Sequence, residues 1–460
     1  MKKCMITAAV LAALQVFGAD VTVDFGAATG PVKPVHAAGQ GPLVGGDAPN
    51  FSMFSYLKEA NIPYVRLHDV GGMFGKNIYV DIPNIFRDFD ADENDPKNYD
   101  FIFTDLYLKA LVDNGIEPYF RLGVTIENYA RSVGKAYRIY PPKDFAKWAR
   151  ICEHVIRHYT EGWADGYKWK ITYWEIWNEA DDRPDDRNPM WLGTWRQFCE
   201  LYDVTSRHLK AKFPHLKIGG YGKCTARNVD FEDKGEKVPE LPAYRHKCFV
   251  EFCDFVKERK CPLDFFSFHA YIKPDRVKAH TDYHRELLRK AGYPDVELHL
   301  NEWLCGDRCG YFWTRASLSS VIAAFLVSCQ VEDDLWMANI YDAKCALSEY
   351  APLFDPVEKK PGKAFYALKY FGVLYRLGMA VKCDVDGGQG RDGLWAVAAK
   401  GENGAAAFIV NDSENARPVK VDFGGRKPKT CRIVDGERTD AEIPFPDVLP
   451  PNSFVLVEFE

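Results

Sequence analysis

The sequence predicts an α/β fold, a (β/α)8 TIM barrel with a C-terminal antiparallel β-sandwich domain, and three observations lead there. Eight short β-like runs alternate with helical patterns between residues 34 and 375. From Ala380 to Glu460 the helical period is gone, and strand-like runs such as "GLWAVAAK" and "SFVLVEFE" are separated by Gly, Asp, Asn and Pro turns. The chain, at 460 residues, is long enough to bury one large core and a smaller one.

Residues 1–19 carry Lys2 and Lys3, an apolar run from Met5 to Phe17, then Gly18 and Ala19. This reads as a secretory signal peptide, so a secreted or periplasmic location is expected. No later segment is apolar enough to span a bilayer, so no membrane insertion is expected. Residues 20–33 contain "DVTVDFG", which alternates like a strand and is expected to join the sandwich of residues 376–460.

Within 34–375 the strand candidates are "PVHAAGQ" (34–40), "YVRLHD" (64–69), "EPYFRLG" (117–123) and "TYWEIWNE" (172–179). They continue with "LKIGGYG" (216–222), "FFSFHAY" (265–271), "ELHLNEW" (297–303) and "LWMANIYD" (335–342). Helical spacing of apolar residues runs from Phe145 to Tyr159 and from Trp191 to Lys212, and a third helix ends just before Gly115. An open doubly wound sheet is the competing arrangement, but it needs no eighth strand.

Apolar residues at 47% and charged residues at 27% fit a globular protein, and a net charge of −6 gives no basic surface for nucleic acid. The 13 cysteines, less Cys4 in the signal, leave 12, which permits disulfides without assigning them. Cys305 and Cys309 have no His or Cys pair at zinc spacing beside them, so no metal site is expected. Nothing in the sequence sets the oligomeric state.

In a barrel of this kind, chemistry sits at the C-terminal ends of the strands. Glu179 ends the fourth strand and Glu302 lies at the end of the seventh. Two carboxylates across one mouth suit glycoside hydrolysis. One, near apolar surface, keeps its proton and donates it to a leaving oxygen; the other stays ionised and attacks the anomeric carbon. Each feature also has a structural reading. Strand-end carboxylates cap helices, barrel histidines such as His68 and His269 fill cores, and Arg66 can simply pair with a buried acid. Trp174, Trp177 and Trp303 can be core packing, Glu175 can be structural or can orient another site residue, and "DDRPDD" after Ala180 reads as a solvated loop in preference to a cation site.

The stretch "WEIWNEAD" resembles the Asn-Glu signature of the retaining (β/α)8 glycosidase clan. "YVRLHD", "YPPKDFAKWARICEHVIRHY" and "FFSFHAY" are similar to glycoside hydrolase family 39, the β-xylosidase and α-L-iduronidase family. The resemblance implies Glu179 as acid/base, Glu302 as nucleophile, Asn178 on the hydroxyl beside the anomeric carbon, and Arg66, His68, His269 and Tyr271 around the sugar. It implies no cofactor and an oligosaccharide or glycoside as substrate. The chain departs from the pattern at Ala180, at Gly71 and Gly72, and at Ala338 before Asp342, where Trp336 is expected to fill the space of a missing tryptophan. Xylose specificity is therefore less firmly implied than the cleavage chemistry. The expectation is a retaining, exo-acting glycoside hydrolase, β-xylosidase-like. The alternatives are a non-catalytic carbohydrate-binding barrel, and a transglycosylase or endo-glycanase using the same residues.

Overall fold

The computed structural model describes residues 20–460 except 45–51, 73–77, 127–136, 185–186, 306–315 and 349. The predicted signal segment and Cys309 lie outside the described residues.

Eight parallel strands close into a barrel: Ala37–Gly39, Tyr64–Leu67, Glu117–Leu122, Tyr173–Ile176, Lys217–Lys223, Phe265–Tyr271, Glu297–Leu304 and Leu335–Ile340. They are barrel strands one to eight below. Ala37 and Ala38 of strand one face Asn339 and Ile340 of strand eight, which closes the ring and excludes the open doubly wound sheet.

Helices form where the sequence supplies both a start signal and an apolar stripe. Helix Phe145–Thr160 begins at Asp144, whose side chain accepts from the Lys147 N–H, and buries Trp148, Ile151, Cys152, Val155, Ile156 and Tyr159. Helix Trp195–Lys212 starts later than its apolar spacing suggests, because Thr194 and Gln197 form a reciprocal capping box there. Trp191 is left outside the helix; its Nε1 donates to the Thr194 carbonyl at 3.0 Å. No described helix is long and apolar enough to cross a membrane.

The C-terminal region centres on an eight-stranded sheet. Strand Val21–Pro31 pairs antiparallel with Met379–Val385 and parallel with Val421–Asp422, so it lies inside that sheet. A short ladder joins Arg417–Pro418 to Val448–Leu449. The period-two alternation of the strands divides the sheet between two cores. Trp395, Val397, Phe408, Val410, Phe454 and Leu456 join the barrel core, while Leu394, Ala396, Ile409, Val455 and Val457 pack into a separate one with Val21, Val23 and Phe25. The barrel-side face rests on helices Ala316–Val331 and Lys363–Leu377.

Candidate active site

Strand four does not end as simple alternation dictates. Its regular pairing stops at Ile176, after which Trp177 (φ 74°) and Glu179 (φ 44°) adopt left-handed backbone. Such conformations cost roughly 1–3 kcal/mol each in non-glycine residues and persist where the surroundings over-determine them. The two reversals place Glu175 and Asn178 on one partner. Arg66 Nε donates to Glu175 Oε2 at 2.8 Å, and Arg66 Nη2 donates to Asn178 Oδ1. Glu175 also accepts from Ser267 Oγ and Asn301 Nδ2, each at 2.6 Å. This buried carboxylate therefore orients the arginine, the second of the roles open to it from sequence. The Trp177 ring turns into the wall instead, with Nε1 on the Met190 carbonyl at 3.0 Å. Trp174 and Trp303 are likewise core, the latter stacked 4.0 Å from Phe325.

Arg66 leads on to the two strand-end glutamates. Its Nη1 lies 3.3 Å from Glu302 Oε2, while the Tyr271 hydroxyl donates to Glu302 Oε1 at 2.7 Å. Across the mouth, His269 Nδ1 is 2.7 Å from Glu179 Oε1. An oxygen of Glu179 and an oxygen of Glu302 come within 4.8 Å of each other. Burial, with the nearby Asp182 adding to it, raises the Glu179 carboxyl to about 7. Burial also raises Glu302, and the Glu179 charge adds to this, while Arg66 and the Tyr271 hydrogen bond oppose it. Desolvation takes His269 down to about 4, so its ring is neutral at pH 7.

Around this pair, His68 is buried and pushed well below its ordinary range by desolvation, then by Arg121 and Arg66. Gln40 donates to Asp69 and to the Tyr341 hydroxyl, and Tyr341 donates to Asp69 Oδ2 at 3.1 Å. Gly222, at the end of strand five, has φ +62°; a Cβ there would come within 3.1 Å of Arg66 Nη2, Asn178 Oδ1 and His269 Nε2.

Arg66, His68, Asn178, Glu179, His269, Tyr271 and Glu302 thus all lie at the C-terminal end of the barrel. Trp336 does not. It is the second residue of strand eight, packs with Tyr173, Tyr119 and Phe265 at the opposite end, and donates Nε1 to the Tyr173 hydroxyl at 3.2 Å. It cannot fill space at the mouth, because a residue entering a strand sits at the far end from its last residue. A second correction concerns the start of the acidic run: Asp181 and Asp182 are buried, not solvated, with Asp182 on Arg245 and Asp181 accepting from the Cys224 N–H at 3.1 Å, while Arg183 is exposed and Asp185 and Asp186 lie outside the described residues. Asp342 accepts from the Lys344 N–H at 2.8 Å.

Sequence reasoning missed Gln40, Gly222, Asn301 and Arg245. Asn301 carried a signal, since "NE" occurs at the ends of both catalytic-candidate strands. Glu179, His269 and Glu302, and likewise Glu179, Asp182 and Cys224, each offer donor atoms close enough to hold a metal ion.

Glu179 and Glu302 thus meet at the mouth of a closed (β/α)8 barrel, just past strand four and on strand seven. Over residues 50–294 the chain matches the profile of glycosyl hydrolases family 39, and it belongs to that family. A β-xylosidase of Geobacillus stearothermophilus is 24% identical over 259 residues, which is 50% of this chain and 45% of that protein. The α-L-iduronidase of Homo sapiens is 30% identical over 125 residues, 27% of this chain and 18% of that one. The matched part is thus under half the length of these relatives. Among solved structures, a glucosidase from Croceicoccus marinus has a TM-score of 0.74 at 19% identity, covering 96% of this chain and 98% of the other. A monomeric β-xylosidase from Caulobacter crescentus CB15 has a TM-score of 0.66 at 16% identity, covering 96% and 99%.

Proposed function

We propose that the chain is a retaining glycoside hydrolase in which Glu302 is the nucleophile and Glu179 the acid/base. The observation that carries this reading is that one oxygen of Glu179 lies within 4.8 Å of one oxygen of Glu302. Retention needs about 5 Å between them, whereas inversion needs room for a water and therefore about 6.5 Å or more.

In the first step a Glu302 oxygen attacks the anomeric carbon, the glycosidic C–O bond breaks, and Glu179 gives its proton to the leaving oxygen. In the second, Glu179 takes a proton from water, the water oxygen attacks the same carbon, and the Glu302 ester oxygen leaves. Neutral His269 holds the Glu179 carboxyl by one hydrogen bond. Arg66 and Tyr271 stabilise the Glu302 charge before attack and after release. With its Oδ1 occupied by Arg66, Asn178 has its amide NH2 to offer the hydroxyl beside the anomeric carbon.

The substrate proposed is a terminal sugar of a plant or microbial glycan, in line with the β-xylosidases and iduronidase among the relatives. Exo action is supported by the length of the segment 70–100 after strand two, enough to wall off the cleft, within which Asp81 is anchored by Arg121 at 2.7 Å and by the Thr125 N–H at 2.9 Å. Export is supported by the character of residues 1–19.

The test is a panel of aryl β-xyloside, α-arabinoside, β-glucoside, β-galactoside and iduronide, run beside the Glu179→Gln/Glu302→Gln double variant, with the anomer first released followed by NMR. Turnover of one member with retained configuration, abolished in the double variant, is the expected result. Inverted product sinks the double-displacement mechanism. Silence on the whole panel and on polysaccharides favours the binding-only barrel.

A further inference from the structure

Glu179 has a second carboxylate neighbour besides Glu302. An oxygen of Asp182, the Cys224 sulfur and an oxygen of Glu179 all lie within 4.8 Å of one another. Asp182 is held from several sides. Arg245, on helix Glu240–Arg259, donates Nη2 to Asp182 Oδ1 and Nε to the Asp182 carbonyl at 3.1 Å. Arg183 Nε lies 3.3 Å from Oδ2, and the Asp182 N–H donates to the Glu179 carbonyl at 3.0 Å. The Asp182 side chain is only 12% exposed and Arg245 only 15%, so solvent screens this pair little.

We propose that Asp182, clamped by Arg245, is a positioning residue that holds the proton on Glu179 in the resting site and keeps Glu179 basic once Glu302 carries the sugar. The argument rests on the acid/base reading of Glu179 and on a difference between its two acidic neighbours. In the resting site Glu302 also repels charge on Glu179. When Glu302 forms its ester to the anomeric carbon, that negative charge disappears. Asp182 makes no bond to the sugar, so its charge persists into the second step, where Glu179 must accept a proton from water.

The other groups around Glu179 do not supply this effect. From strand two, Arg66 favours the ionised form. From strand six, His269 is neutral, and Tyr271 is kept protonated by burial. From strand five, Lys223 is matched by buried Asp181, and Cys224 just after it, held as a thiol by burial, favours the ionised form of Glu179 through its hydrogen bond. Arg245 opposes Asp182 more weakly than Asp182 acts.

The test follows the Glu179 carboxyl directly, by 13C NMR of protein labelled at glutamate carboxyls, with its resonance identified by loss in Glu179→Gln. The wild-type midpoint is expected at about 7. Asp182→Asn should lower it by about one unit, and Arg245→Met should raise it, since each removes a charge of opposite sign. Should Asp182→Asn fail to fold, Asp182→Ser, which also removes the charge, takes its place in the same titration. A midpoint unchanged in the variants, or moved the same way in both, overturns the role of Asp182 and leaves the acid/base reading standing. A midpoint that moves as expected while the kcat/KM pH profile ignores it overturns the acid/base reading and the proposed role together.

Discussion

The two ends of the barrel are built from the same residue types and left in different states. At the N-terminal end, Glu297 accepts from the Tyr173 hydroxyl at 3.1 Å, with Lys217 Nζ also at 3.1 Å and His299 Nε2 at 3.3 Å. The Tyr119 hydroxyl lies 3.2 Å from His299 Nδ1, and Trp336 closes the set on Tyr173. At the C-terminal end, among the described residues, His68 Nδ1, His269 Nε2 and Gln40 Oε1 are buried with no hydrogen-bond partner. At the N-terminal end His299 Nε2 is likewise buried without a hydrogen-bond partner; leaving such a group unmet costs about 1–3 kcal/mol, and what sets the C-terminal end apart is that several unmet groups gather there beside two carboxylates. Buried polar residues alone do not mark a site; unmet ones beside paired carboxylates do.

That contrast can be broken hardest at Glu302. Glu302→Ala should lower kcat by about ten-thousandfold or more. External azide should restore turnover of an activated aryl glycoside and give the inverted glycosyl azide; no rescue would place the nucleophile elsewhere. Next in size, Glu179→Ala should slow poor leaving groups by about 10²–10⁴-fold and dinitrophenyl glycosides far less. Equal losses on both would count against its role as acid.

The protonation of Glu179 sharpens the comparison further. With a carboxyl raised to about 7, kcat/KM should fall as pH rises through that value, because the acid is lost. The sign for stability is the same. The folded state binds this proton more tightly than the unfolded chain, so stability declines from about pH 4.5 to 7 and is lower by roughly 3 kcal/mol above that. Glu179→Gln should therefore be more stable than wild type in urea unfolding at pH 8, with the gap vanishing by pH 4. The smallest effect belongs to the other end: Tyr173→Phe should cost about 1 kcal/mol of stability and leave kcat/KM unchanged. A large kinetic loss there would contradict the division between the two ends.

The barrel was legible in the sequence because its eight strands each carry their own apolar pattern, and the sheet because helical period stops at its border. Boundaries set by capping were less so: the Thr194–Gln197 box outranks the apolar spacing that begins at Trp191. At the site, strand-end position was enough to bring Glu179, Glu302, Asn178 and His269 to one mouth. It was also enough to rule out Trp336, about 13 Å of strand rise below Ile340, had the rule been applied to it. Arg245 could not be read, because its partner lies 63 positions away on a helix whose local pattern says nothing of Asp182. Glu175 and Asn178 meet on Arg66 only through the left-handed turns at Trp177 and Glu179, which period-two reasoning excludes.

Gly222 bears on how such a site can change over generations. A methyl group added there would press at once on three different side chains, those of Arg66, Asn178 and His269, from a backbone angle that disfavours any side chain. Selection for a new sugar cannot travel through this position in single steps, since every replacement presses on those three side chains first. Laboratory libraries that randomise position 222 should therefore yield mostly inactive clones. A change of preference is easier to reach from another part of the mouth, such as the hydrogen-bonded set of Gln40, Asp69 and Tyr341.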